Sequence, residues 1–197
     1  MTAATLARLL YLMAPIILAG ICNMAYVKLP LHGRLRVPMD GGRRWRDGAR
    51  IFGDNKTWKG FLGMIAFASV WFSLQAALDA TLPGARALSL VPFASFPPRL
   101  VPVLGALWGL GYVLAELPNS FMKRRLGVRP GANVPGLRGA LFLLIDQGDS
   151  VLGCLVALRL FYPYGWRTGL LLLLIGTGVH LAVNAVLYLV GLRKQAA

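Results

Sequence analysis

Acidic residues are scarce in this chain. Seven Asp and Glu stand against 21 Lys and Arg in 197 residues, a formal net charge of +14. Charged residues in total reach only 14%, where an ordinary soluble domain carries about a quarter, so that class is excluded. Apolar residues are abundant at 57%, which excludes a disordered basic tail, because such segments are poor in large apolar side chains. A soluble nucleic-acid binder can be this basic, but it cannot hide several apolar runs of membrane length; no nucleic-acid partner is expected. Cysteine is nearly absent too. Cys22 and Cys154 both fall inside apolar runs, where they read as packing residues rather than a disulfide or a metal pair. With no internal repeat and no low-complexity linker, residues 1–197 read as a single membrane-embedded domain.

Five segments are long and apolar enough to cross a bilayer, which takes about 20 residues per helix. They run near 6–27, 61–80, 100–117, 139–160 and 169–190. The expected fold class is all-α: a polytopic integral membrane protein with five transmembrane helices. Sixteen of the 21 cations lie in loops 28–60 and 118–138 and in the C-terminal tail, which share one side. The positive-inside rule makes that side cytoplasmic and puts the N-terminus outside, in a multi-pass protein of the cell membrane. The first span reads as a retained helix rather than a signal peptide, since it has almost no basic segment before it.

Where the few acids sit is informative. Asp40, Asp47 and Asp54 lie in the first cytoplasmic loop, Glu116 ends the third span, and Asp146 and Asp149 lie in the fourth. Only Asp79 is expected outside. Asp40 and Asp47 read as surface partners of the loop cations, worth little individually. That reading fails for Asp146, about 10 Å into its span at 1.5 Å per residue. An unpaired Asp at such depth costs ~2.5–3.5 kcal/mol, so an intramembrane acid is a functional candidate. Helical spacing puts Asp146, Asp149, Ser150 and Gly153 on one face. Two carboxylates there repel unless a cation or proton is shared. Mg²⁺, commonly held by one or two carboxylates plus substrate phosphates, is the favoured partner, and a structural ion pair with a loop Arg or Lys is the alternative.

The stretch 47–60 mixes Gly48, Gly53, Arg50, Asp54, Lys56, Thr57 and Lys59 just before the second span. Glycines permit close backbone approach, and N–H groups at a helix start favour anions, so this is a candidate phosphate cradle. It is not a Walker A loop, because Asp54 and Asn55 intervene before Lys56-Thr57. The second loop opens with Pro118-Asn119-Ser120, a helix-start signal, followed by Lys123-Arg124-Arg125. On charge alone that run reads as an anchor on anionic membrane lipid. His180 shares a face of the last span with Thr177 and Asn184 and reads as an interhelical hydrogen-bond stripe, whereas His32 is a loop residue outside the motifs.

Three motifs then converge: Arg46-Asp47-Gly48-x-Arg50-Ile51-x-Gly53-Asp54-x-Lys56-Thr57-Trp58-Lys59-Gly60-Phe61, Glu116-Leu117-Pro118-Asn119-Ser120-Phe121-x-Lys123-Arg124-Arg125-Leu126-Gly127, and Asp146-Gln147-x-Asp149. Their order and their placement against five spans resemble the CDP-archaeol synthase family, relatives of the phosphatidate cytidylyltransferases. The resemblance implies transfer of CMP from CTP to a lipid phosphate, ether-linked or diacyl, with Mg²⁺ as cofactor and pyrophosphate as second product. It also implies roles. Asp146 and Asp149, with Glu116, would hold Mg²⁺, and Lys123 would join the two Asp residues in catalysis. Lys56, Thr57, Lys59, Asn119, Ser120, Lys123, Arg124 and Asp54 would bind CTP. Asp47, Arg46 and Arg125 would shape the pocket or meet the lipid headgroup. The competing reading is a non-catalytic anion transporter or lipid-binding membrane protein using the same basic loops. Gly105-x-x-x-Gly109 permits close helix packing within the chain or between copies, so an oligomer is compatible with the sequence.

Overall fold

The structure, a computed structural model, describes residues 2–130, 132 and 134–191. Six α-helices run through it: α1 (Ala3–Lys28), α2 (Trp58–Thr81), the short α3 (Pro83–Leu88), α4 (Val101–Arg125), α5 (Gly136–Arg159) and α6 (Trp166–Leu189). All but α3 are long and apolar enough to span a membrane. Each apolar run therefore became a helix, and each helix extends a turn or less past the run at most ends, with one exception.

That exception is α4. Pro118-Asn119-Ser120 marks no new helix; α4 continues through Pro118 to Arg125. A proline removes one i→i−4 bond, and helices of a membrane bundle tolerate the loss because neighbouring groups satisfy the freed carbonyl. The consequence for the site is direct. Glu116, Asn119, Ser120, Lys123 and Arg124 ride on one rigid helix instead of a loop. The fourth span is likewise unbroken through Asp146–Ser150.

α4 packs between α2 on one side and α5 on the other. Small residues make this close approach. A Cβ at Gly105 would lie 2.8 Å from Phe72 Cβ, and one at Gly109 2.7 Å from Ala68 Cβ, both on α2. The Gly105-x-x-x-Gly109 pair thus serves packing inside the chain. On the other flank a Cβ at Gly111 would lie 2.5 Å from Gly153 O and 2.6 Å from Ala157 Cβ of α5. Trp108, 2% exposed, donates from Nε1 to Cys154 O at 3.1 Å and fixes the same pair of helices. Gly111→Leu is expected to force α4 and α5 apart at a cost of about 1–3 kcal/mol, read as a lower thermal midpoint in detergent. An unchanged midpoint would show that this contact can yield.

The segment between α1 and α2 folds back on itself. Met39 N donates to Lys56 O at 2.8 Å, Trp45 N to Ala49 O at 2.8 Å and Ile51 N to Arg43 O at 3.2 Å, so its two arms run antiparallel. Asp40 sits inside this fold-back and is not the surface partner its loop position suggested. Its side chain is fully buried and accepts from Arg50 Nη2 (2.7 Å), Arg50 Nε (3.2 Å), Phe52 N (3.0 Å), Gly53 N (3.0 Å) and Gly42 N (3.1 Å). Burial pushes the Asp40 carboxyl up, but Arg50 and the three N–H donors outweigh it and hold the group well below the usual carboxylate range. Gly53 adopts φ +106° and lies against Pro130, where a Cβ would approach Cγ to 2.7 Å, so the fold-back touches the segment that follows α4.

Candidate active site

The candidate residues arrive from three directions. On α4, Glu116, Asn119, Ser120, Lys123 and Arg124 follow the i, i+3, i+4 pattern of a single face. On α5, Asp146 and Asp149 share a face for the same reason. Lys56 and Thr57 come from the last turn of the fold-back, where Thr57 caps α2 by accepting from Gly60 N at 3.2 Å.

α4 and α5 meet at Asn119. Its Nδ2 donates to Asp146 Oδ1 at 2.6 Å and to Asp149 Oδ2 at 2.7 Å, so two carboxylates converge on one nitrogen. Lys123 pairs with the other oxygen of Asp146, and Lys56 pairs with Glu116. Arg124 is 8% exposed; its Nε reaches Ser120 O at 3.4 Å, and its Nη1 is buried with no partner among the described residues. A buried guanidinium with an unused donor is costly unless an anion completes it.

All these groups line one cavity of about 1000 Å³, at the upper end of ligand-site volumes. Lys56, Thr57, Glu116, Asn119, Ser120, Lys123, Arg124, Asp146 and Asp149 form its polar wall. Met13, Ile16 and Ile17 of α1, Leu155 and Leu158 of α5, and Leu172 and Val179 of α6 are among the apolar groups lining the rest. A ligand with a charged head and an apolar body fits such a wall.

Two of the residues expected to bind CTP are placed elsewhere. Lys59 is fully buried and caps the end of α1, its Nζ donating to Leu29 O at 2.6 Å and Val27 O at 3.4 Å beside the Tyr26 ring. Asp54 is exposed and pairs with Arg50 Nη1 at 2.8 Å. Arg46 is exposed, and neither it nor Asp47 lines the cavity. Asp47 instead forms an ion pair with Arg125, Oδ2 to Nε 2.6 Å, while Arg125 Nη2 donates to Arg50 O at 2.5 Å and its guanidinium stacks 4.5 Å over Phe121. Arg125 therefore latches the fold-back onto α4.

A family model described as CarS-like, CDP-archaeol synthase, matches residues 4–196. The chain belongs to the CDP-archaeol synthase family. It is 33% identical over 165 residues to the CDP-archaeol synthase of Methanospirillum hungatei, covering 80% of this chain and 88% of that protein. It is 36% identical over 154 residues to the CDP-archaeol synthase of Pyrococcus furiosus, covering 77% and 78%. A solved structure described as an intramembrane enzyme for archaeal membrane lipids biosynthesis superposes with a TM-score of 0.60 at 28% identity, over 89% of this chain and 91% of that one.

Within this family framework the metal expectation can be tested on the residues. Among the described residues no three His, Cys, Asp or Glu side chains gather closely enough to hold a metal ion by themselves. Glu116 pairs with Lys56, while Asp146 and Asp149 meet at Asn119. Asp146 and Asp149 do fit Mg²⁺, which commonly takes one or two carboxylates and completes its shell with water and substrate phosphate. Their oxygens already converge on one donor.

Sequence reasoning missed several groups that shape this site. Asp40 carried a signal in Asp40-Gly41-Gly42, a turn pattern in which Asp accepts from nearby backbone, as it does from Gly42 N. Asn23 of α1 also lines the cavity and donates to Gly60 O at 3.0 Å, with no pattern in the sequence to announce it.

Proposed function

We propose that this chain transfers CMP from CTP to the phosphate of an ether-linked archaeal lipid at the cytoplasmic face of the cell membrane. A lipid phosphate oxygen attacks the α-phosphorus of CTP. One P–O bond forms, the bond to the β-phosphate bridging oxygen breaks, and pyrophosphate leaves with that electron pair. The observation that carries this reading is the convergence of Asp146 and Asp149 on Asn119 inside a cavity that carries cations and acids on one wall and mostly apolar groups on the rest.

The residue inventory suits the chemistry. The nucleophile is already anionic, so no general base is required. What the site must do is bring two polyanions together and offset their repulsion, the usual task in phosphoryl transfer. Lys56, Lys123 and Arg124 supply the positive charge, and the unused Nη1 of Arg124 offers a donor to a phosphate oxygen. Asp146 and Asp149 would hold Mg²⁺, which when bound screens phosphate charge and orients the triphosphate. Asn119 would keep the two carboxylates at one spacing. The apolar wall of α1, α5 and α6 would take the lipid chains. The archaeal ether lipid is preferred over a diacyl acceptor because the relatives are named for archaeol, and the cytoplasmic side follows from the cations of the fold-back and the α4 end.

The test is an isotope assay on purified protein in lipid vesicles. Labelled CTP, Mg²⁺ and a panel of ether-linked and diacyl lipid phosphates are expected to give labelled CDP-lipid and pyrophosphate, fastest with the ether-linked acceptor. No labelled lipid from any acceptor would overturn the enzyme reading and leave a binding or transport role.

A further inference from the structure

We infer that Gln147 is a positioning residue for this reaction, locked by α6 so that the two flanking carboxylates keep one register. The inference rests on the function proposed above. Gln147 stands between Asp146 and Asp149 in the chain, but successive helical residues turn about 100°, so its side chain leaves their face. It is 1% exposed, and its Oε1 accepts from Asn184 Nδ2 at 2.7 Å. Its backbone carbonyl, one lone pair of which serves α5 itself, also takes His180 Nδ1 at 3.1 Å.

In a neutral ring these bonds select one tautomer of His180. A carbonyl only accepts, so Nδ1 carries the proton, and it shares that proton with Ser150 Oγ at 3.4 Å. Nε2 is then an acceptor, and Tyr112 OH donates to it at 3.2 Å. Tyr112, Glu116, Asn119 and Lys123 recur at i, i+4, i+7 and i+11, one face of α4. The polar clamp therefore ties α4, α5 and α6 together at the level of the acids. The bond of Asn119 to both carboxylates needs α5 at one rotation and one distance, and this clamp holds both.

A purely packing role accounts poorly for Gln147. Its Nε2 is buried without a partner among the described residues, so the amide costs stability that an apolar residue would not. The side chain is explained by what Oε1 receives from α6.

The experiment uses the purified full chain and three variants: Gln147→Leu, Asn184→Leu, and the exchanged pair Gln147→Asn with Asn184→Gln. Each single variant is expected to lower kcat about tenfold with KM for the lipid phosphate unchanged, and the exchanged pair to recover kcat to within about threefold. Unfolding in mixed micelles is expected to show about threefold coupling between the two positions, the usual size for an interhelical bond in a membrane bundle. Wild-type kcat in the single variants, a loss in KM alone, or an exchanged pair no better than the singles combined would overturn the inference. A wild type that makes no CDP-lipid would remove the function and the positioning role together, whereas the unfolding coupling, read without turnover, reports the clamp separately.

Discussion

Asp149→Asn is expected to lower CDP-lipid formation by about 10³-fold while leaving the helical bundle folded. Asp149 supplies one of two carboxylates that meet at Asn119 Nδ2, and its Oδ2 lies 2.7 Å from that donor. The amide removes the charge and sets an N–H₂ group where the acceptor was, or turns its oxygen to Asn119 and its nitrogen away from it. Either way a single carboxylate remains, and it is the one already paired with Lys123. Losing one preorganised electrostatic contact to a transition state typically costs about 10²–10³ in rate, and a Mg²⁺ held by both carboxylates would put this case at the upper end. A 10³-fold loss is about 4 kcal/mol of barrier. The structural contribution is much smaller, since an interhelical hydrogen bond in a membrane bundle is worth about 0.6 kcal/mol on average. Rate and stability therefore separate: steady-state turnover should collapse while the thermal midpoint stays near that of the wild type. Glu116→Gln offers the contrast, because Glu116 pairs with Lys56, whereas Asp146 and Asp149 meet at Asn119. Its loss should be about tenfold, as expected of a group that orients a cation. Equal losses in both variants would mean that Glu116 belongs to the same ligand set. Full activity in Asp149→Asn would remove the carboxylate pair from the chemistry.

The contrast between these acids also shows what a sequence can and cannot convey. The five spans were legible because a bilayer demands a run of about 20 apolar residues, and the chain offers five. Asp146 and Asp149 were legible because two acids in an apolar run are costly whatever their surroundings. Lys56 and Lys59 were not separable. They share one motif and one charge, but Lys56 precedes the Thr57 cap while Lys59 lies in the first turn of α2, which turns Lys59 onto the carbonyls at the end of α1 and leaves Lys56 on the cavity. Pro118 misled for a related reason. In water a mid-helix proline predicts a boundary, but inside a packed bundle the freed carbonyl finds other partners and α4 runs on. Asp40 was the least legible. Its burial depends on two arms of a fold-back that bring Arg50, Phe52 and Gly53 onto it from 10 to 13 residues away, and no local pattern encodes that.

Asp40→Ala should accordingly be the most damaging substitution outside the cavity wall. Arg50 loses its buried partner, and Phe52 N, Gly53 N and Gly42 N lose their acceptor. Breaking a buried ion pair costs about 3–5 kcal/mol, and since the Arg50 side chain is 24% exposed, water recovers part of it, leaving about 2 kcal/mol. That loss falls on the fold-back, because Asp40 makes its hydrogen bonds within it. Lys56 and Thr57 sit at the end of the same fold-back, so an open fold-back is a site without them. A cost of about 2 kcal/mol corresponds to about 30-fold in CDP-lipid formation. Hydrogen exchange should report faster exchange over 38–57 and unchanged protection in the spans. The pH dependence has a definite sign. The folded Asp40 carboxyl titrates below its unfolded value, so its stabilisation is complete above the ordinary carboxylate range near pH 4 and is lost only as pH falls through the folded value. Protection of 38–57 in the wild type should thus stay level between about pH 8 and pH 5, with any loss confined to more acid conditions. Asp40→Asn keeps the shape without the charge, so it should exchange faster than the wild type at every pH in that range. Wild-type exchange and activity in Asp40→Ala would mean that Arg125, through Asp47 and the Arg50 carbonyl, holds the fold-back alone.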